Sequence, residues 1–176
     1  MEIVSIPLSG DLEHEDSMGN KKVIRAGDIQ VMSAGTGVLH SEYNQSKTEE
    51  VKFLQIWIFP NKKNVSPRYD QISIQIVAQK NTFYQILSPN EDDQGVWIHQ
   101  NAWFSMGEFE AETSENYKLH QSINGVYLFV LDGKIEIAGE VLNRRDAIGI
   151  WETEQFELTA TNKAKVLLME VPMEFS

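Results

Sequence analysis

Apolar and polar residues alternate over short stretches along most of this chain, with a period of two. "IQVMSAG", "VKFLQIWIFP", "QISIQIVA", "AWFSMGEFE", "VYLFVLDG", "KIEIAG", "DAIGIWE", "FELTAT" and "KVLLMEV" are rich in β-branched and aromatic residues. On a strand such alternation puts one set of side chains on each face, so these stretches predict half-buried β-strands. The pairs Gly19-Asn20, Gly27-Asp28, Asn124-Gly125 and Asp132-Gly133 supply turn chemistry between them. No segment keeps a helical period over three turns. Many short strands at this spacing predict an all-β protein of barrel or sandwich type.

The pattern also repeats. Residues 8–32 resemble residues 131–151: an apolar strand, a glycine at the hairpin entry (Gly10, Gly133), a charged strand, then an apolar strand led by an aspartate (Asp28, Asp146). A further apolar strand follows in each copy, "KFLQIWI" and "KVLLMEV". This predicts two β-barrels, over 1–60 and 97–176. Residues 61–96 form the linker and crossing strands, marked by Pro60, Pro67 and Pro89. The run "SPNEDDQG" reads as a solvated loop. The almost continuous apolar stretch holding Phe53, Trp57 and Phe59 predicts a strand buried on both faces, with an aromatic substrate wall as the lesser reading.

Composition narrows the function more than the fold. At 176 residues, with 41% hydrophobic and 23% charged residues, the chain is of ordinary globular make-up. There is no cysteine, which removes disulfides, thiolate metal sites and cysteine catalysis. It also fits a reducing compartment, so a cytoplasmic location is expected. A formal charge of −11 gives no basic footprint for a phosphate backbone, so direct nucleic-acid binding is not expected. No apolar stretch is long enough to span a membrane, and the N-terminus has no signal-peptide pattern.

Candidate chemistry sits in "GTGVLHSEYN", residues 35–44. His40 and Glu42 are i and i+2, so on a strand they point the same way. Imidazole plus carboxylate suits iron, manganese, nickel, copper or zinc. His14, in "LEHEDSMGN", reads as a solvent-facing strand histidine, or else as a group at the barrel mouth near such a metal. His99 and His120 read as structural or exposed. Met18 and Met32 read as packing residues or as lining of the barrel mouth. No serine is marked as activated, and no phosphate loop opens a helix.

The run "HEDSMGN…AGDIQVMSAGTGVLHSEYN" followed by "LQIWIFP…SPRYDQ" resembles the pirin family of bicupins, strongly over residues 1–75 and loosely beyond. The resemblance implies an all-β fold of two antiparallel, jelly-roll-type barrels with one divalent transition metal (Fe, Ni, Cu, Mn or Zn) in the first. In the family the ligands are a His-x-His pair, a third histidine matching His40 and a glutamate matching Glu42. The pair precedes a glutamate that matches Glu2, so here it would fall before Met1. The first barrel is therefore expected to be incomplete, as in a truncated chain, and metal binding to be impaired or absent. The resemblance further implies quercetin 2,3-dioxygenase-like activity on a flavonol-like small molecule, with Glu42 as ligand and base. The alternative is a non-catalytic module acting through a protein partner. Arg68 and Tyr69 are expected to anchor the linker. An opened barrel would expose a sheet edge, so a homo-oligomer is expected.

Overall fold

The computed structural model describes residues 1–174, and among them the only helix is a 3-10 turn at Ile74–Ile76. The strands are β1 (Glu2–Ser9), β2 (Asp11–Asp16), β3 (Lys21–Arg25), β4 (Asp28–Ser33), β5 (His40–Asn44), β6 (Lys52–Ile58), β7 (Arg68–Ser73), β8 (Phe83–Ser88), β9 (Val96–Trp97), β10 (Trp103–Phe109), β11 (Thr113–Lys118), β12 (Asn124–Asp132), β13 (Lys134–Ile137), β14 (Glu140–Asn143), β15 (Ala147–Ile150), β16 (Gln155–Ala160) and β17 (Ala164–Pro172). They fall into two compact units. Unit 1 holds Met1–Ile76 and Pro89–Gln100, and unit 2 holds Val77–Ser88 with the chain from Asn101 onward. The stretch 61–96 is thus shared between the units.

Unit 1 has one sheet in the order β6-β1-β4-β7 and another in the order β3-β2-β5, all antiparallel. Unit 2 contains the runs β15-β12-β17-β10-β8 and β11-β16-β13-β14. The repeat seen in the sequence is a repeat of topology. β1 pairs with β4 and β6, and β2 with β3 and β5. In unit 2, β12 pairs with β15 and β17, and β13 with β14 and β16. Gly10 and Gly133 explain the shared hairpin entry. Both have positive φ, and a Cβ on them would lie 2.5 Å from the Glu50 carbonyl oxygen and 2.1 Å from that of Lys163.

Two features separate the units. In unit 2, β17 also pairs with β10, and β16 also pairs with β11. In unit 1 the matching strands β6 and β5 have no such neighbour among the described residues, so they are sheet edges. The interiors differ as well. Unit 2 is filled by an apolar cluster that includes Phe109, Leu128, Ile137, Leu158 and Leu168. Unit 1 buries Leu12, Ile24 and Met32, but also Ser5, His14 and Gln30.

Several sequence expectations need correction. β6 is not buried on both faces: Trp57 is 64% exposed and Phe53 and Phe59 are also exposed, because β6 ends its sheet and pairs only with β1. "QISIQIVA" is not one strand. β7 stops at Ser73, and Ile74 turns so that its N–H bonds the Gly27 carbonyl at 2.8 Å. Asn124-Gly125 opens β12. The turn lies just before it, closed by Asn124 N–H to the Gln121 carbonyl at 3.1 Å. The polar strand β11 matches none of the predicted stretches, and β8 lies in the 61–96 region of crossing strands without a stretch of its own.

Candidate metal centre

The interior of unit 1 is defined by which side chains cross between its sheets. Ser5 Oγ on β1 donates to Glu42 Oε1 on β5 at 2.9 Å, and the Tyr69 ring on β7 lies 4.9 Å from that of His14 on β2. Strand alternation then puts Ser5, Gln55, Gln30, Met32, Tyr69 and Gln71 on the inner face of the larger sheet. His14 and Glu42 are direct cross-strand partners, and so are Asp16 and His40. Side chains so paired stand side by side on one face. The result is a cluster in which His14, His40 and Glu42 each offer a donor atom, all within 4.8 Å of one another. His14 is fully buried, Glu42 half-buried and His40 exposed.

Each ligand is held by neighbours. His14 Nε2 lies 3.0 Å from Asp16 Oδ2, so the ionised carboxylate fixes the proton on Nε2. The other nitrogen, Nδ1, is left as a buried lone pair with no protein partner. A ligating histidine with its second nitrogen on a carboxylate is the usual arrangement at a metal. Burial would raise the Asp16 pKa, but hydrogen bonds from His14, from the Asn20 side chain and backbone and from the Met18 N–H hold it below the usual value. Glu42 is oriented by Ser5 and by a short bond from Gln55 Nε2 to its Oε2. Trp57 Nε1 donates to Gln55 Oε1 at 3.2 Å, which fixes the amide so that its nitrogen faces Glu42. Burial, with Asp16, Asp28, Glu42 and Asp70 nearby, pushes the Tyr69 hydroxyl far above its ordinary pKa, so it stays protonated.

His40 is placed by the loop before β5. A Cβ on Gly35 would lie 2.2 Å from the Val65 carbonyl oxygen, and Thr36 N–H bonds that same carbonyl at 3.0 Å. Leu39 and Ser17 exchange hydrogen bonds at 2.9 and 3.1 Å, tying the loop to the end of β2.

The structure thus brings His40 and Glu42 together, as their spacing predicts. It corrects the reading of His14 as a solvent-facing residue. The signal was present: His14 lies at i+2 from Leu12, so it shares that apolar residue's face, while Glu13 and Glu15 take the other. Tyr69 is likewise not a linker anchor, since it packs on His14. Arg68 fits the anchoring role, with Nη1 bonded to the Trp97 carbonyl at 2.6 Å and its guanidinium stacked over the Trp97 ring. Burial lowers the Arg68 pKa despite Asp70 and Glu2. His99 packs edge-on against Trp97. His120 is bonded to the buried Glu170 and stacked on Trp103. Met32 is in the core and Met18 is exposed.

Antiparallel sheets whose pairing repeats along the chain define a bicupin, and its first copy gathers two histidines and a carboxylate. The pirin family profile matches residues 1–58, and the profile described as the quercetinase C-terminal cupin domain matches residues 85–171. The chain is 36% identical to the quercetin 2,3-dioxygenase of Escherichia coli K12 over 174 residues, covering 98% of this chain and 73% of that protein. It is 32% identical to a pirin-like protein of Caulobacter vibrioides, with 97% of this chain and 73% of that one covered. Among solved structures, E. coli YhhW superposes with a TM-score of 0.90 at 32% identity over 99% of this chain and 74% of that one. The nickel(II) complex of the same bacterial pirin gives 0.90 at 33%, over 98% and 72%. The chain belongs to the pirin family.

Proposed function

We propose that unit 1 is a metal-dependent oxygenase centre of quercetin 2,3-dioxygenase type, with His14, His40 and Glu42 as its protein ligands. The observation that carries this reading is the buried, unpartnered Nδ1 of His14 beside His40 and Glu42. Two imidazoles and one carboxylate suit iron, nickel, manganese, copper or zinc. The sequence has no His-x-His pair. Affinity is therefore expected to fall below that of a centre with that pair, which is the sense in which metal binding here is impaired. The nickel complex of the related pirin and the quercetin 2,3-dioxygenase relatives support the choice of metal and of a flavonol-like substrate.

A bound ion would supply polarisation of the substrate oxygens and access to O2 chemistry. The chain's own residues do the rest. Asp16 keeps the His14 lone pair free. Ser5 and Gln55 keep both Glu42 oxygens aimed into the interior, where Glu42 can take the proton of a substrate hydroxyl. Tyr69, held neutral, closes the side next to His14.

The test is a Ni(II) and Fe(II) titration of the purified chain combined with a quercetin consumption assay. One ion per chain, lost in His40→Ala, together with turnover that follows the ion, is the expected result. No binding at excess metal would refute the centre. The exposed edge of β6, with Phe53 and Trp57 beside it, favours a second reading: a binding module for a protein partner. Stoichiometric metal without any quercetin turnover would favour that one.

A further inference from the structure

Gln30 lies in the middle strand pair of the larger sheet of unit 1 and is 1% exposed, yet neither its Oε1 nor its Nε2 has a hydrogen-bond partner. A buried primary amide left bare loses its hydration with no hydrogen bond in return. Such a group in a folded core points to something the chain alone does not supply.

The registers show where the amide sits. Gln30 is the cross-strand partner of Ser5 on one side and of Gln71 on the other. Ser5 holds Glu42, and Gln71 accepts a hydrogen bond from the Tyr69 hydroxyl, whose ring rests on His14. Gln30 is therefore flanked on its sheet by Ser5, which holds Glu42, and by Gln71, which holds the tyrosine that rests on His14, and it shares their inner face. Its donor and acceptor are buried on the side of the sheet that carries those groups.

The internal repeat provides a control. Following the paired registers, Ser5 corresponds to Leu128, Gln55 to Leu168, His14 to Ile137, Glu42 to Leu158 and Gln30 to Ile148. All five positions are polar in unit 1 and apolar in unit 2, where they belong to or pack on the apolar core. An aliphatic side chain is what this fold accepts at the Gln30 position when no chemistry is done there. Gln30 thus goes with the candidate ligands and their supports.

We propose that Gln30 is a ligand-binding residue of this centre: its amide accepts from a hydroxyl and donates to a neighbouring oxygen of the bound organic molecule. This rests on the reading of unit 1 as the substrate-binding centre. It adds a recognition group that is not a metal ligand, so the two can fail separately.

The experiment compares the parent chain with Gln30→Met, close in shape and without the amide, and with Gln30→Ile, which copies the unit 2 residue. Three quantities are measured: Ni(II) affinity, thermal midpoint, and quercetin affinity by tryptophan fluorescence with and without Ni(II). Ni(II) affinity is expected to stay within about twofold. The midpoint is expected to hold or rise, because an unsatisfied buried amide is removed. Quercetin affinity is expected to fall about tenfold or more, the loss of two hydrogen bonds. Unchanged quercetin affinity overturns the proposal, as does a parent chain that binds no quercetin in either state. Loss of folding in both variants would make the amide a structural core group and also overturn it. Failure of Ni(II) to bind any of the three would refute the metal centre, while the metal-free quercetin comparison still decides the role of Gln30.

Discussion

At the scale of single residues, the centre depends on side chains that hold other side chains. Asp16 accepts from His14 Nε2–H, which leaves the Nδ1 lone pair free for the proposed ion. Asp16→Asn replaces that acceptor with an amide that can present its NH2 to the ring, so the Nδ1 lone pair is no longer guaranteed. Ni(II) affinity should fall by about 10- to 100-fold, the range seen for such supporting partners, as isothermal titration would show. Glu42 and His40 were legible because one strand carries both at i and i+2. Their convergence with His14 was not, since it depends on the register by which β2 pairs with β5, and one strand's sequence does not encode its partner. Gln30 was invisible for a similar reason: only burial and the lack of a partner distinguish it from an ordinary strand glutamine.

At the scale of elements, the strands of high apolar contrast were readable and the polar ones were not. β10, β12 and β17 announce themselves, whereas β11, "TSENYK", has the composition of a loop and is a strand only because β16 pairs with it. Glycine turns were readable where positive φ is obligatory. Gly10→Ala and Gly133→Ala should each cost at least about 1 kcal/mol, measured by chemical denaturation. The segment between β11 and β12 is fixed by a different device, a buried carboxylate. Glu170 accepts from the His120 and Gln121 N–H groups, the Tyr117 hydroxyl, His120 Nδ1 and Asn124 Nδ2. Burial would raise its pKa, but the bonds from His120, Asn124 and Tyr117 hold it below the ordinary 4.5. A depressed carboxylate stabilises the fold above its unfolded pKa, and that contribution is lost as pH falls through the folded value. Glu170→Gln should therefore destabilise unit 2 by about 2 kcal/mol at neutral pH. It should also flatten the loss of stability below about pH 4.5 that the parent shows, as denaturant midpoints across an acid series would reveal.

At the scale of the whole molecule, the two copies carry the same strand connections with different boundaries. The strands β5 and β6 end their sheets, while β16 and β17 do not. A sheet edge with unpaired backbone groups and exposed Phe53 and Trp57 beside it is a template for another strand. Light scattering should find mass rising with concentration, and Phe53→Lys, which sets a charge on that edge, should reduce the rise. The repeat was legible from the glycine and aspartate spacing. The exposed edge was expected from the family resemblance and not from the apolar run of β6, which is the same whether or not a neighbour covers it.

The apolar filling of unit 2 and the polar lining of unit 1 also divide the chain thermodynamically. Groups such as Gln30 and His14 Nδ1 forgo hydration without gaining a partner, whereas Leu128, Leu158 and Leu168 gain from leaving water. The lower local stability should therefore lie in the unit that holds the candidate centre. Urea titration followed by hydrogen exchange should show amides of β2, β4 and β5 exposed at lower denaturant than those of β12, β16 and β17. Saturating Ni(II) should delay the first group and leave the second where it was, so that the apolar copy acts as the frame that stays folded while the polar one opens and closes.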